Sequence, residues 1–183
     1  MRHDEAWHAV VELAASRHGV FHAGEAAERG VSQDRLRRGL ATGELRRPIG
    51  RVYTLASAPD SRDQRLHVAA AATRSRGLVD VRAVGAISHV SAAAVHGLVE
   101  QHPETISLWV PTQVRLRGSP YEVHRGGPLD VDRDLTSVDG LPVVDRAASV
   151  CQLGAAQPGL LDRALDTFSR ESSMAWLGET ADR

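Results

Sequence analysis

A chain of 183 residues with 42% apolar but only 4% aromatic side chains can form one ordinary domain or two small ones, on a core made chiefly of Ala, Val and Leu. Its net charge of −1 supplies no global pull toward nucleic acid, so attraction to a polyanion has to come from a local patch. All 22 basic residues are arginine, which argues against phosphate loops, Schiff-base enzymes and nucleases that set a lysine beside a metal. The lone Cys151 excludes an internal disulfide and a multi-cysteine zinc site.

The opening "MRHDEAWHAVVELAASRHG" mixes acids with its apolar residues and reads as neither signal peptide nor membrane span, so a soluble, cytoplasmic protein is expected. Trp7, Val10, Val11 and Ala14 recur at helical spacing and predict a first helix over about Glu5–Arg17, stopped by Gly19. Val20 and Phe21 are too few for more than a β-bridge. A short helix over "AGEAAERG" closes at Gly30. Ser32 then caps a third helix, whose Leu36 and Leu40 face inward at i, i+4. Gly43 ends it, and "ELRRPIGRVYTL" gives two strands about a "PIG" turn. Helix, short helix, capped helix and hairpin make the order of a winged helix-turn-helix.

"ASAPDSRD" reads as a linker into a second, mixed α/β unit. Ser61–Arg76 predicts a helix, "GLVDVRAVGA" is undecided, and "SHVSAAAVHG" predicts a compact helix ended by Gly97. "TISLWVP" and "YEVHR" predict strands with "VRLRGSP" between them, and "DLTSVDGLPVV" predicts a hairpin turning on Asp139-Gly140. Helices are expected over Asp145–Leu153, with Cys151 packed inside, and over Pro158–Arg170, with Leu160, Leu161, Ala164, Leu165 and Phe168 buried. The expected class is α+β: a winged helix-turn-helix over 1–57, an α/β domain over 58–171 and a tail over 172–183.

Arg35, Arg37, Arg38, Arg46, Arg47 and Arg51 fall within seventeen residues. From Glu28 to Val52, seven arginines stand against three acids, although the whole chain is near neutral. With Leu36 and Leu40 inward, helical steps of about 100° turn Asp34, Arg38 and Ala41 outward, flanked by Arg35, Arg37 and Thr42. Arg46, Arg47 and Arg51 flank the hairpin. Double-stranded DNA is the polyanion such a stripe suits. Helix arginines can read guanine edges and Gln33 an adenine, while wing arginines hold phosphates. Two alternatives stand beside this reading: an Asp34–Arg38 pair on a solvated face, and a protein-interaction module whose arginine patch meets an acidic partner.

The stretch from "AASRHGVFHAGEAAERGVSQDRLRRGLATGELRRPIGRVYTL" through "SHVSAAAVHGL" to "VHR…DLTSVDGLPVVDRAASV" resembles the AbiEi-type antitoxins of actinobacteria, over about Leu13–Phe168. The resemblance implies an N-terminal winged helix that represses its own operon, an α/β antitoxin domain, and a nucleotidyltransferase-like toxin as partner. By position it puts DNA contacts on Gln33, Arg35, Arg37 and Arg38 of the helix and on Arg46, Arg47 and Arg51 of the wing. Relatives often show Thr-x-x-Arg-Thr-Leu-x-Asp after the hairpin; here "VDRAASVCQ" keeps only Arg146. A homodimer on a palindromic site is expected by analogy with helix-turn-helix geometry.

No enzyme, cofactor or metal is expected. His89 and His96 at i, i+7 stand about 10 Å apart along a helix, too far for one ion unless His67 or His124 joins them. Hydrogen-bonded roles at the helix ends suit both better. Ser91, His96 and Asp145 lack the glycine elbow of a hydrolase triad. Asp130, Asp132 and Asp134 lack the glycine and final glutamate of a calcium loop and read as a solvated turn. Trp109 and Tyr121, among β-branched neighbours, read as core.

Overall fold

The structure, a computed structural model, describes residues 3–74, 85–100, 102–110, 120–126 and 129–181, with side chains for those between 4 and 170. Among them eight helices and eight strands form two sheets, a mixed α and β architecture.

Helix α1 (His3–Ala15) sets Ala6, Val10 and Ala14 on the core face at intervals of four. Beyond it Gly19 adopts φ 84°, and a Cβ there would collide with that of Ala58, so glycine is required. Val20–His22 then form a full strand, β1, rather than a bridge. It pairs antiparallel with β3 (Val52–Leu55) in the register Phe21↔Tyr53. Three residues suffice because all three are buried, and β3, 32 residues on, satisfies their backbone.

His22 and Glu25 cap α2 (Ala23–Glu28) reciprocally: Gly24 N donates to His22 Nδ1 at 3.0 Å, and His22 N to Glu25 Oε2 at 2.8 Å. Ser32 Oγ accepts from Arg35 N at 3.2 Å to start α3 (Gln33–Ala41). Strand β2 (Leu45–Ile49) pairs with β3, giving the order β1-β3-β2. That places Pro48 on an edge, where its missing N–H costs no ladder bond.

This sheet is covered on both faces. Phe21, Leu45 and Tyr53 pack against Ala6, Val10, Ala14, Ala26 and Leu36, with half-buried Leu40 and Leu55 at the border. On the other face Val20 and Val52 meet Val68 of α4 (Arg62–Ala72), which Ser61 caps. The opposite side of α4, Leu66, Ala69 and Ala70, belongs to the core of the second sheet together with Ile87, Leu108, Trp109 and Val143. One helix thus serves two sheets, and its alanines let both approach closely.

The second sheet runs β6-β5-β4-β8-β7. Its strands are β4 (Ala86–Ile87), β5 (Ile106–Val110), β6 (Tyr121–Arg125), β7 (Leu135–Val138) and β8 (Leu141–Val144). β5–β6 and β4–β8 are parallel and the other two pairings antiparallel. Asp139 and Gly140, at φ 51° and 76°, form the two-residue turn that this hairpin requires. Outside the sheet lie α5 (His89–Val95), α6 (Val131–Asp134), α7 (Arg146–Ala156) and α8 (Pro158–Ala181). α5, α7 and α8 share a third core of Val90, Ala93, Ala94, Leu98, Val150, Leu153 and Ala164.

Four expectations need correction here. Cys151 is exposed, because Val150 and Leu153 take the inward positions of α7 and one residue beyond Val150 turns outward. Leu165 is 42% exposed and Leu160, Leu161 and Phe168 are half-buried, since α8 offers a narrow stripe centred on Ala164. The run "DVDRD" is a short capped helix, not a solvated turn: Asp134 is buried, takes Asp130 N at 2.8 Å and holds Arg133 at 2.6 Å. Beyond Arg170 the backbone of α8 stays helical to Ala181. The undecided run 77–86 is described only from residue 85, and "VRLRGSP" only from Pro120; the remainder lies outside the described residues. No helix among the described residues is long and apolar enough to cross a membrane.

Candidate nucleic-acid interface

Helix α3 is held down by Leu36, 2% exposed, and by Gly39, which lies against the Leu45 side chain of β2. Leu40 is half-buried against the same core. Gln33, Asp34, Arg37, Arg38, Ala41 and Thr42 are left exposed. Arg37 pairs with Asp34 at 2.8 Å, an i, i+3 ion pair in which both side chains are more than 75% exposed. Such a surface pair stabilises by well under about 1 kcal/mol, so Arg37 can exchange it for a phosphate. Arg38 pairs with no acid among the described residues. The Thr42 hydroxyl donates to the carbonyls of Arg38 and Gly39 at 3.0 and 3.3 Å, which ties it to the end of its own helix.

Arg35 is placed differently from Arg37 and Arg38. Its guanidinium lies 3.8 Å over the Trp7 ring and donates to Glu44 Oε1 at 2.7 Å, clamping α3 to α1 and to the start of the hairpin. That hydrogen bond holds Glu44 below the ordinary carboxylate range. Arg35 is therefore a positioning residue in this structure.

The hairpin divides its own arginines. Arg46 pairs across to Thr54, which like Val52 belongs to the face covered by α4, and Arg46 Nη2 donates to the Ala56 carbonyl at 2.9 Å. A register shift between Arg46 and Ile49 lets Arg47 and Pro48 stand exposed on the edge. Arg46 and Arg47 border a cleft of about 820 Å³ that Arg62 and Arg65 of α4 also line. Arg51, half-buried past the turn, accepts Ala23 N on its carbonyl at 2.8 Å. Burial, and then the Arg51 charge, lower the proton affinity of His22. The structure thus brings Gln33, Arg37 and Arg38 together on one outward helix face, withdraws Arg35 into packing, and turns Arg46 toward α4.

Two arginine groupings escaped the sequence reading. Glu25, 4% exposed, sits between Arg17 Nη1 at 2.5 Å and Arg74 Nη1 at 2.7 Å. Burial alone would raise its pKa, but the His22 amide, Arg74 and Arg17 outweigh that and lower it. Sequence separation hid this triad. Arg62 and Arg65 were missed as well, although an i, i+3 pair behind the Ser61 cap is a signal that could have found them.

His89, His96, Ser91 and Asp145 are engaged in packing and capping. His96 Nε2 lies 2.8 Å from the Val144 carbonyl, and Ser91 Oγ accepts Ser107 N at 3.0 Å. Asp145 caps α7 through Ala147 N and Ala148 N, at 2.7 and 3.2 Å. His89 stacks on His124 with centroids 3.6 Å apart. Burial, then the neighbouring His124, lower the His89 pKa to about 4. No group of three metal-ligating side chains occurs among the described residues. Trp109 is buried, with Nε1 donating to the Gly126 carbonyl at 2.7 Å, while Tyr121 is half-buried beside the second core.

No family model matches this chain, and no curated protein matches its sequence. In structure it is similar to the crystal structure of the RV2827C protein from Mycobacterium tuberculosis, at 21% identity and a TM-score of 0.50, over 82% of this chain. The match spans 60% of that protein's chain, and at such low identity the likeness is one of fold.

Proposed function

We propose that this chain is a non-enzymatic, duplex-DNA-binding repressor that uses α2, α3 and the β2–β3 hairpin as a winged helix-turn-helix. One observation carries the reading: α3 is fixed from beneath by Leu36, Gly39 and the Arg35 clamp while Gln33, Arg37 and Arg38 face outward. A helix held in this way can enter a major groove as a rigid body, with few side chains left to order. Arg47 and Arg51 on the hairpin supply phosphate contacts to the neighbouring backbone. Arg46, bound to Ala56, has a smaller part than its sequence position implied.

The resemblance to AbiEi-type antitoxins extends the proposal to repression of its own operon and to neutralisation of a nucleotidyltransferase-like toxin, with two copies on a palindromic operator. Fluorescence anisotropy on the gene's own upstream region, at two salt concentrations, tests the DNA-binding half. Arg47→Ala with Arg51→Ala should weaken binding on every sequence and reduce the salt slope by about one for each phosphate no longer neutralised. An unchanged slope in the double variant removes the wing. A footprint with no protected region would leave the protein-interaction reading in its place.

A further inference from the structure

The cleft beside the hairpin has two chemically distinct walls. One, from β2 and α4, carries four guanidinium groups: Arg46, Arg47, Arg62 and Arg65. The other, from the β5–β6 end of the second sheet and the chain before it, offers Ile106 and the rings of His102 and Tyr121. Its volume, about 820 Å³, lies within the range of small-molecule sites and is far too small for a duplex.

The acids that border the cleft, Asp60 and Glu104, form no ion pair with any of the four arginines. Arg62 is half-buried, and that burial weakens its hold on its proton; Asp63 offsets part of the effect, and Arg65 adds repulsion. A guanidinium partly stripped of water, beside a second one and without a carboxylate at salt-bridge distance among the described residues, is costly until an anion neutralises it. Guanidinium forks match phosphate oxygens in pairs, and the forks of Arg47, Arg62 and Arg65, with the part of Arg46 that Ala56 leaves unbound, suit a single polyphosphate better than carboxylates spread along a peptide. The facing rings and Ile106 suit a planar base.

We infer that this cleft binds a nucleoside polyphosphate, its phosphates on Arg46, Arg47, Arg62 and Arg65 and its base against His102 and Tyr121. The site shares Arg47 with the proposed wing but nothing with the α3 face, and its test involves no DNA and varies only Arg62 and Arg65, so either reading can fail alone. Isothermal titration of the whole chain with ATP, GTP and CTP, and with inorganic tripolyphosphate, provides the measurement. One nucleotide should bind per chain in the micromolar range, with tripolyphosphate at least tenfold weaker. Arg65→Glu, at an exposed position, should weaken nucleotide binding at least tenfold with the melting temperature unchanged, and Arg62→Ala should do likewise. Absence of binding by all three nucleotides overturns the inference. So does tripolyphosphate binding as tightly as they do, or nucleotide affinity that survives Arg65→Glu in a folded protein.

Discussion

Arg38 and Arg35 share one helix but have different environments. Arg38 projects into solvent without an acid partner among the described residues, whereas Arg35 is spent on Trp7 and Glu44. On the proposed DNA-binding reading, Arg38→Ala should therefore cost about 1–3 kcal/mol on a preferred operator and relax preference at one base pair, leaving thermal stability unchanged. A binding-site selection that returns the same consensus for the variant would remove Arg38 from base recognition. His67 gives a prediction of another kind. It is 5% exposed, and burial, then the charges of His18 and Arg17, lower its pKa to about 4, against the opposing effect of Asp63 and Asp139. Between about 4 and 6.5 the unfolded chain holds the proton and the folded chain does not, so the stabilisation is full above pH 6.5 and is lost as pH falls toward 4. His89 contributes with the same sign. Melting temperature should drop across that window, and His67→Leu should make the drop shallower; a profile identical to the parent's would show that His67 takes no part. What the sequence revealed at this scale was local. Ser32 as a cap and Asp139-Gly140 as a turn depend on neighbours within three residues. The Trp7–Arg35 stack and the Arg17–Glu25–Arg74 triad depend on folding itself, and nothing in the spacing announces them.

At the level of elements, α3 and β2 meet where Gly39 lies under Leu45. A Cβ on Gly39 would stand 2.8 Å from Leu45 Cδ1 and 2.9 Å from its Cγ. Alanine is favoured over glycine by about 1 kcal/mol inside a helix, but overpacking a buried leucine costs about 1–3 kcal/mol. Gly39→Ala should thus destabilise by about 1 kcal/mol in urea unfolding and, on the proposed function, weaken DNA binding by shifting α3 on its support. A gain in stability would mean that Leu45 yields freely. The long helices were legible because their apolar residues repeat every three to four positions. β1 was not: three residues carry too little pattern, and its identity comes from β3, on which it pairs through Phe21↔Tyr53. Cys151 was misread for a related reason, since an apolar run such as "SVCQLG" in α7 does not say which of its members faces inward.

For the molecule as a whole, α4 matters most, because Val68 belongs to the first sheet's packing and Leu66, Ala69 and Ala70 to the second's. Neither sheet can expose that helix without uncovering apolar surface on the other, so the two should unfold together. Trp7 reports on the first core and Trp109 on the second. In single-tryptophan variants, with Trp176→Phe in both, urea midpoints read at Trp7 and at Trp109 should coincide; separated midpoints would show that α4 does not couple the sheets. The exposed thiol of Cys151 also bears on how many copies assemble. Two molecules can be stapled through it by air oxidation alone, with no operator and no natural dimer surface involved. Stocks kept without reductant should therefore yield a double-mass band on non-reducing gels. Stoichiometry on DNA is best measured with Cys151→Ser, in which a pair that persists is held by noncovalent contacts.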